Sequence, residues 1–333
     1  MIFLWLLWSF NEIPQAYHTW NASFTPETAL LKSNGESLLF QDKDVYIFDR
    51  DGNLLQTFVL DFQPAEAFVG AFDTLWIHDG ENRLGLLNDN HNLQWQRELP
   101  PPSSEPLIYR EFLVYVTGQR ILVLDPRDGS ARFSLYRDTP TVILAVYKNR
   151  IFLADENGGV LLWDPLFDRE QEIEPLAGTG LQRLSFSPQG ETASVHESGL
   201  LRVWARGLNA KWRRQYHIDI PVNPLWLSYG EKHRKQQLIV ATHGRKAYAY
   251  GPRGSQLAKT ALRGRPKALV SFSEQTCLIV QNLEPELIWY HSETQEFTTE
   301  TLENHQILVL ENGTFVLLID GGGIMRLFQR NPA

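Results

Sequence analysis

The chain has 333 residues, of which 43% are hydrophobic, and 31 Lys and Arg stand against 39 Asp and Glu, a formal net charge of −8. This composition is typical of a globular protein and excludes a disordered one. The single cysteine, Cys277, excludes an intramolecular disulfide framework, a cysteine-based zinc site and an iron–sulfur cluster.

The chain opens with an apolar N-terminal segment, residues 1–16, in which Ile2–Phe10 is almost entirely apolar. This run is too short to span a bilayer. A signal peptide begins with basic residues, but no Lys or Arg precedes Lys32. We therefore expect the segment to be a hook that makes an apolar contact, in a cytoplasmic or membrane-peripheral protein. A cleaved signal peptide, with export to the periplasm or beyond, is the alternative.

A short apolar strand recurs through the rest of the chain. Its eight copies begin at Val45, Leu84, Ile121, Val160, Leu201, Ala247, Leu287 and Ile324. The intervals lie between 37 and 46 residues, and a period near 40 is typical of a four-stranded propeller blade. The sequence therefore predicts an all-β fold, a single eight-bladed β-propeller of four-stranded blades over residues 17–333.

The second repeat illustrates the predicted strands and turns. Its four strands are predicted at Ala65–Phe72, Leu75–His78, Leu84–Asn88 and Leu93–Leu99. Turns rich in Gly, Asn and Asp recur between strands, as at Arg50–Asn53 and Arg127–Ser130. These residues adopt the positive φ that tight hairpins need.

The two ends of the chain predict how the ring closes. The last repeat supplies only three strands, at Gln306–Leu310, Thr314–Ile319 and Ile324–Phe328. Near the N-terminus, Tyr17–Phe24 is an aromatic segment without a partner in its own repeat. We expect it to be the fourth strand of the last blade, which removes the open edges of the ring.

Several repeats resemble known propeller families. ILVLDPRDGSARFSL at Ile121–Leu135 and VYIFDRDGNLLQTFVL at Val45–Leu60 resemble the pyrroloquinoline-quinone-type repeat. LSFSPQGETASVHESGLLRVW at Leu184–Trp204 resembles the WD repeat, although Ala205 stands where that family has Asp. The resemblance implies a member of the propeller superfamily and points to no particular protein.

No catalytic constellation is found in the sequence. It contains neither a Gly-x-x-x-x-Gly-Lys phosphate loop nor a Gly-x-Ser-x-Gly nucleophile turn. Asp49, Asp51 and Asn53 resemble the start of a calcium loop, but the glycine between them is misplaced, so a polar hairpin turn is expected. Glu284 and Glu286 are expected to be solvated. The sequence therefore predicts no enzyme, no cofactor and no metal site.

Charge is distributed unevenly along the chain. Residues 202–267 contain 15 Lys and Arg and two acids, whereas residues 1–201 contain 14 bases and 28 acids. This basic sector covers the outer half of the fifth predicted blade and all of the sixth, on both faces and the rim. The residues predicted to bind a partner are Lys211, Arg213, Arg214, Lys232, Arg234, Lys235, Arg245, Lys246, Arg253, Arg263, Arg265 and Lys267.

Three interpretations of the basic sector remain open: a solvated surface, an acidic protein partner, or a nucleic acid or anionic membrane. Trp204, Trp212, Trp226, Tyr229 and Tyr248 could stack bases, but they also suit the blade core. We predict a non-catalytic protein–protein interaction scaffold, a subunit of a hetero-complex, that binds acidic partners. The alternatives are a propeller that binds nucleic acid or membrane, and a small-molecule enzyme or sensor that uses the channel mouth.

Overall fold

The computed structural model describes most of the chain after residue 15. The described residues are 16, 18–22, 24, 26–88, 92–147, 149–173, 180–186, 191–196, 198–206, 212–219, 224–229, 237–242, 244–271, 275–281, 285–302, 307–311 and 315–329. They form β-strands, turns and two single turns of 3₁₀ helix. The predicted N-terminal hook lies outside them, except for Ala16.

The strands group into eight four-stranded antiparallel sheets, which we number I to VIII from the N-terminus. Sheet I contains β2 (Thr28–Leu31), β3 (Ser37–Gln41), β4 (Asp44–Phe48) and β5 (Leu54–Val59), and sheet II contains β6 (Glu66–Val69), β7 (Leu75–His78), β8 (Arg83–Leu87) and β9 (Leu93–Glu98). Sheet III contains β10 (Leu107–Tyr109), β11 (Phe112–Thr117), β12 (Arg120–Leu124) and β13 (Ala131–Tyr136), and sheet IV contains β14 (Thr141–Tyr147), β15 (Arg150–Asp155), β16 (Val160–Asp164) and β17 (Arg169–Glu172). Sheet V contains β18 (Leu181–Phe186), β19 (Glu191–His196), β20 (Leu200–Arg206) and β21 (Trp212–Asp219), and sheet VI contains β22 (Pro224–Tyr229), β23 (Leu238–Thr242), β24 (Lys246–Tyr250) and β25 (Gln256–Ala261). Sheet VII contains β26 (Arg265–Ser271), β27 (Gln275–Gln281), β28 (Glu286–His291) and β29 (Glu296–Thr301). Sheet VIII contains β30 (Ile307–Glu311), β31 (Phe315–Asp320), β32 (Ile324–Gln329) and, from the N-terminus, β1 (His18–Asn21).

The sheets are arranged as a β-propeller, so the predicted all-β propeller fold is confirmed. First strands of neighbouring sheets contact one another, as β2 does with β6 and β18 does with β22. The first strand of each sheet is therefore the inner one, and the fourth strand is the outer one. Each of the eight apolar segments that recur in the sequence lies in the third strand of one sheet.

The last sheet is completed by the N-terminal strand, as predicted. β1 pairs antiparallel with β32, with His18 opposite Leu327 and Asn21 opposite Ile324. Just beyond the strand, the Ala22 amide donates to the Gly323 carbonyl at 3.0 Å. This pairing joins the two ends of the chain in one sheet and covers the edge that β32 would otherwise expose.

The hydrophobic core lies between neighbouring sheets. β28 is buried along its whole length. Leu287 and Trp289 pack against Val316 of sheet VIII, whereas Ile288 packs against Ile239 of sheet VI. A third strand thus contributes to two core layers, one on each side, which explains why its sequence is apolar throughout rather than alternating.

The antiparallel order gives the propeller two different faces. The turns between first and second strands and between third and fourth strands lie on one face, which we call the hairpin face. The turns between second and third strands lie on the other, together with the connections between sheets. The Leu262 amide donates to the Arg245 carbonyl at 2.8 Å, which joins the connection after sheet VI to its second-to-third turn. We call this the connection face.

One predicted strand is wrong at its end. The first strand of sheet II ends at Val69, and Phe72, predicted to lie in that strand, belongs to a 3₁₀ turn over Ala71–Asp73. A Cβ atom on Gly70 would overlap the Thr74 hydroxyl, so the chain passes closer to itself here than any other residue would allow.

Candidate partner-binding surface

The described part of the basic sector gathers mainly on the connection face, at the junction of sheets VI and VII. Arg245 lies in the second-to-third turn of sheet VI, and Lys246 begins β24. Arg263 lies in the following connection, and Arg265 begins β26, opposite Gln281. Four predicted contact residues from separate stretches of sequence are therefore brought to one side of the propeller.

The other predicted contact residues lie elsewhere or outside the described residues. Arg253 lies on the hairpin face, in the third-to-fourth turn of sheet VI, with a φ of 67°. Arg213 and Arg214 lie on the outer strand β21, and Lys267 stands at a bulge in the inner strand β26. The residues whose structure is not described are Lys211, Lys232, Arg234 and Lys235.

Most described cations of this sector are not neutralised within the fold. No described acidic group lies within ion-pairing distance of four of them, Arg245, Lys246, Arg253 and Arg265. Two arginines elsewhere show the contrast: Arg132 Nε lies 2.8 Å from Asp125 Oδ2, and Arg137 Nη2 lies 2.9 Å from Asp155 Oδ2. Within the described residues, these four cations therefore have no acidic side chain that would neutralise their charge.

Arg263 differs, because its Nη1 lies 3.4 Å from Oε1 of Glu286. Glu286 is buried at the start of β28, so the expectation that it is solvated is wrong. The physical reason is that third strands are covered on both faces, which leaves a charged residue there dependent on a partner. The Arg263 side chain itself stays exposed and still adds positive charge to this face.

The described aromatic side chains of the sector belong to the core. Tyr248 is buried between sheets V and VI, and Lys259 Nζ lies 5.6 Å from the centre of its ring. Trp204 packs against the core between sheets IV and V. The side chains of Trp212, Trp226 and Tyr229 lie outside the described residues. Tyr248 is therefore buried and Trp204 half-buried, whereas bases stack on exposed aromatic rings.

A cavity of about 360 Å³ lies beside the inner strands of sheets I and II and the connection between sheets II and III. Its lining includes Glu66 of the inner strand β6 and Glu105 of the connection between sheets II and III. Arg183 lies on the inner strand β18, where enclosure by the neighbouring strands lowers the pKa of its guanidinium and the Glu105 carboxylate opposes that shift. Among the described residues, no three His, Cys, Asp or Glu side chains are placed to hold a metal ion.

The turn that resembles a calcium loop is a polar hairpin, as predicted. Asp49 Oδ1 accepts hydrogen bonds from the amides of Asp51 and Asn53 at 2.9 and 2.8 Å, and Asn53 Nδ2 donates to Oδ2 at 2.9 Å. The Asn53 side chain is the main reason that the pKa of Asp49 is lowered. The carboxylate is therefore occupied by its own turn.

The hairpin face carries a feature that the sequence prediction missed. Phe72 is 90% exposed and has a φ of 56°. Its loop is fixed to sheet I, because the Ser33 amide and hydroxyl donate to Asp73 at 2.8 and 2.6 Å. The signal available in the sequence was Gly70 followed by Asp73, a polar break that marks a turn rather than a continuing strand.

Within the described residues there is no helix with the length and apolar character needed to cross a membrane.

Comparison with known proteins identifies the fold and no family. No protein-family profile and no curated protein sequence matches the chain. Among solved structures, Sqt1 of Saccharomyces cerevisiae is similar with a TM-score of 0.70 and 9% identity, covering 96% of this chain and 100% of its own. The computationally designed Ika8 protein is similar with a TM-score of 0.68 and 11% identity, and the match covers 95% of this chain and 99% of that protein. BBS1N in its complex with ARL6DN is similar with a TM-score of 0.51 and 14% identity, and the match covers 89% of this chain and 87% of that chain.

Proposed function

We propose that this β-propeller is a non-catalytic scaffold that holds an acidic protein partner against the basic sector, residues 202–267 of sheets V and VI and the start of sheet VII. The observation that carries the proposal is the group of cations at Arg245, Lys246, Arg253 and Arg265, of which Lys246 is half-buried and the others are exposed. None of them forms an ion pair with an acidic side chain that the structure describes. A chain with a net charge of −8 that keeps these groups unneutralised has a strongly dipolar surface. Such a surface steers an acidic partner to one side of the molecule.

The arrangement of the faces supports a partner that is a folded protein. Arg245, Lys246 and Arg265 are anchored at strand ends and in a tight turn, so their backbone positions are fixed before binding. A rigid surface loses little conformational entropy when a partner docks. The solved complex of BBS1N with ARL6DN is a case in which a propeller of similar fold binds another protein.

A protein partner is favoured over a nucleic acid. Proteins that bind single-stranded nucleic acid combine positive charge with exposed aromatic rings that stack the bases. In this chain Tyr248 and Trp204 are committed to the core. The remaining predicted contacts stay part of the proposed basic sector, although they are not all on one face. Arg263 lies on the connection face, Arg213 and Arg214 on the outer strand β21, Lys267 on an inner strand and Arg253 on the hairpin face. Lys211, Lys232, Arg234 and Lys235 lie outside the described residues.

The test is capture of partners from native lysate by charge-reversed variants. The variant Lys246→Glu with Arg265→Glu reverses two unpaired cations of the connection face. Arg120→Glu is the control, because Arg120 begins β12 as Lys246 begins β24, and the Arg120 side chain is exposed as that of Arg265 is. We expect wild type and the control to retain an acidic protein that the double variant loses.

Capture of the same proteins by all three forms would contradict the proposal. Raised salt should weaken the specific capture, because exposed charge pairs are screened over about 8–10 Å at physiological ionic strength. Retention of wild type on single-stranded RNA at physiological salt, with no protein captured, would favour the nucleic-acid alternative instead.

A further inference from the structure

One outer strand, β5 of sheet I, presents exposed aliphatic side chains on the rim of the propeller. Leu54, Leu55 and Val59 of β5 are 55%, 55% and 68% exposed. Among the outer-strand side chains that the structure describes, only those of β5 include exposed leucine or valine. Of the outer strands, only β5 and the short closing strand β1 contain no Asp, Glu, Lys or Arg. Charges normally protect such edges from pairing with another strand.

The open edge of β5 also presents backbone hydrogen-bonding groups. At the end of the strand the Leu60 amide donates to the Lys43 carbonyl at 2.9 Å, so the backbone N–H of Leu60 points toward the third strand. Along an antiparallel strand, successive residues point their backbone N–H and C=O groups to alternate sides. Those of Phe58 therefore point toward β4, and those of Thr57 and Val59 point toward the open edge. Side chains alternate separately between the two faces of the sheet, so that Phe58 packs against the core whereas Thr57 is exposed.

We propose that β5 pairs with β5 of a second copy of this chain, antiparallel and about a two-fold axis at Thr57. In this register Thr57 lies opposite Thr57 of the other copy, and Val59 lies opposite Leu55. Threonine pairs and pairs of aliphatic residues are favourable across strands. The same surface then contacts itself, which closes the assembly at two copies. This inference is independent of the proposed scaffold function.

The charges at the two ends of β5 complement each other in the same register. The turn before the strand carries Arg50 and Asp51, and the segment around its other end carries Lys43 and Asp61, all exposed. The antiparallel arrangement places the first end of one copy beside the second end of the other. Within one copy Arg50 Nε lies 4.0 Å from Asp51 Oδ1, and Lys43 Nζ donates to the Asp61 carbonyl at 2.9 Å. In the dimer Arg50 would come near Asp61 and Asp51 near Lys43 of the other copy, and the axis repeats both opposite-charge pairs. A parallel arrangement would place like charges together.

The first test is the mass of the protein in solution, measured by sedimentation velocity over a range of concentrations. We expect wild type to form a dimer of twice the 38.3 kDa chain. Thr57→Lys places two ammonium groups at the axis and should give a folded monomer whose thermal transition is cooperative and independent of protein concentration. Gln96→Lys is the matched control, because Gln96 lies opposite the third residue of β8 as Thr57 lies opposite the third residue of β4.

A second variant tests the register. A hydrogen-bonded antiparallel pair has Cα atoms about 5.5 Å apart, which suits a disulfide. Thr57→Cys should therefore oxidise to a covalent dimer, whereas Gln96→Cys, which retains the same native Cys277, should not. A monomeric wild type, a dimer that survives Thr57→Lys, or equal crosslinking of the two cysteine variants would each overturn the proposal.

Discussion

The indole ring of Trp95 lies directly over the α-carbon of Gly129. A Cβ atom on Gly129 would stand 2.7 Å from Trp95 Cζ3, and Trp95 Nε1 donates to the Pro126 carbonyl at 3.0 Å. The outer strand of sheet II is thus fixed to the third-to-fourth turn of sheet III. Trp20 covers Gly52 of sheet I in the same way, at the junction where the ring closes.

This contact predicts that Gly129→Ala lowers the free energy of unfolding by about 2–4 kcal/mol, because a left-handed backbone and a crowded core both penalise the methyl group. Gly118→Ala is the control, since Gly118 has a φ of 59° and no atom within 4 Å of its virtual Cβ. It should lose only about 1–2 kcal/mol. Urea unfolding of both variants measures the difference. Equal losses would show that the Trp95 contact contributes nothing.

Periodicity in the sequence was enough to predict the fold, because every third strand is apolar and every blade repeats near 40 residues. The turns at Asp49 and Gly129 were also predicted from their residue types. Contacts between blades could not be predicted in this way. The contact of Trp95 with Gly129 depends on the distance and angle between neighbouring sheets, which no local sequence pattern encodes. The exposure of Phe72 and the burial of Glu286 were missed for a related reason. Both depend on where a strand ends relative to its neighbours.

The closing strand predicts how the ring responds to truncation. A chain that lacks residues 1–21 loses β1 and exposes the edge of β32 and the core around Gly52. Its thermal transition should become broader and move to a lower temperature. A chain that lacks only residues 1–15 retains β1 and serves as the control. If both truncated chains melt as sharply as the full one in calorimetry, β1 does not close the ring.

Asp125 predicts a dependence of stability on pH. Burial alone would raise its pKa, but hydrogen bonds from the Arg127 amide and the Arg132 guanidinium outweigh burial and lower it. A lowered pKa in the folded state stabilises the fold above the unfolded value of about 3.9 and loses that effect as pH falls through the folded value.

Asp125→Asn should therefore reduce the melting temperature at pH 7, and its difference from wild type should shrink as the pH falls below about 4. Asp42→Asn, at an exposed turn position with a φ of 53°, is the control and should change little at either pH. Melting curves across this range measure the effect. A difference between wild type and Asp125→Asn that is independent of pH would contradict the assignment.

Replacing Phe72 by glycine should stabilise the folded protein. Phe72→Gly removes the cost of a left-handed backbone at an exposed side chain, so the free energy of unfolding should rise by about 0.5–1 kcal/mol. Phe167→Gly is the control, because Phe167 is 66% exposed but has no positive φ. It should lower stability by a similar amount, about 0.5–1 kcal/mol. A loss of stability in both variants would show that the left-handed conformation of Phe72 carries no strain.

The proposed scaffold function is tested most directly by carbodiimide crosslinking of the protein to its captured partner, because this reagent joins a lysine amine to a carboxylate in contact with it. We predict that crosslinks to Asp and Glu of the partner map to Lys246, Lys259 and Lys267 of the basic sector. Crosslinks confined to Lys32 and Lys43 of sheet I would place the partner on the other side of the ring and contradict the account.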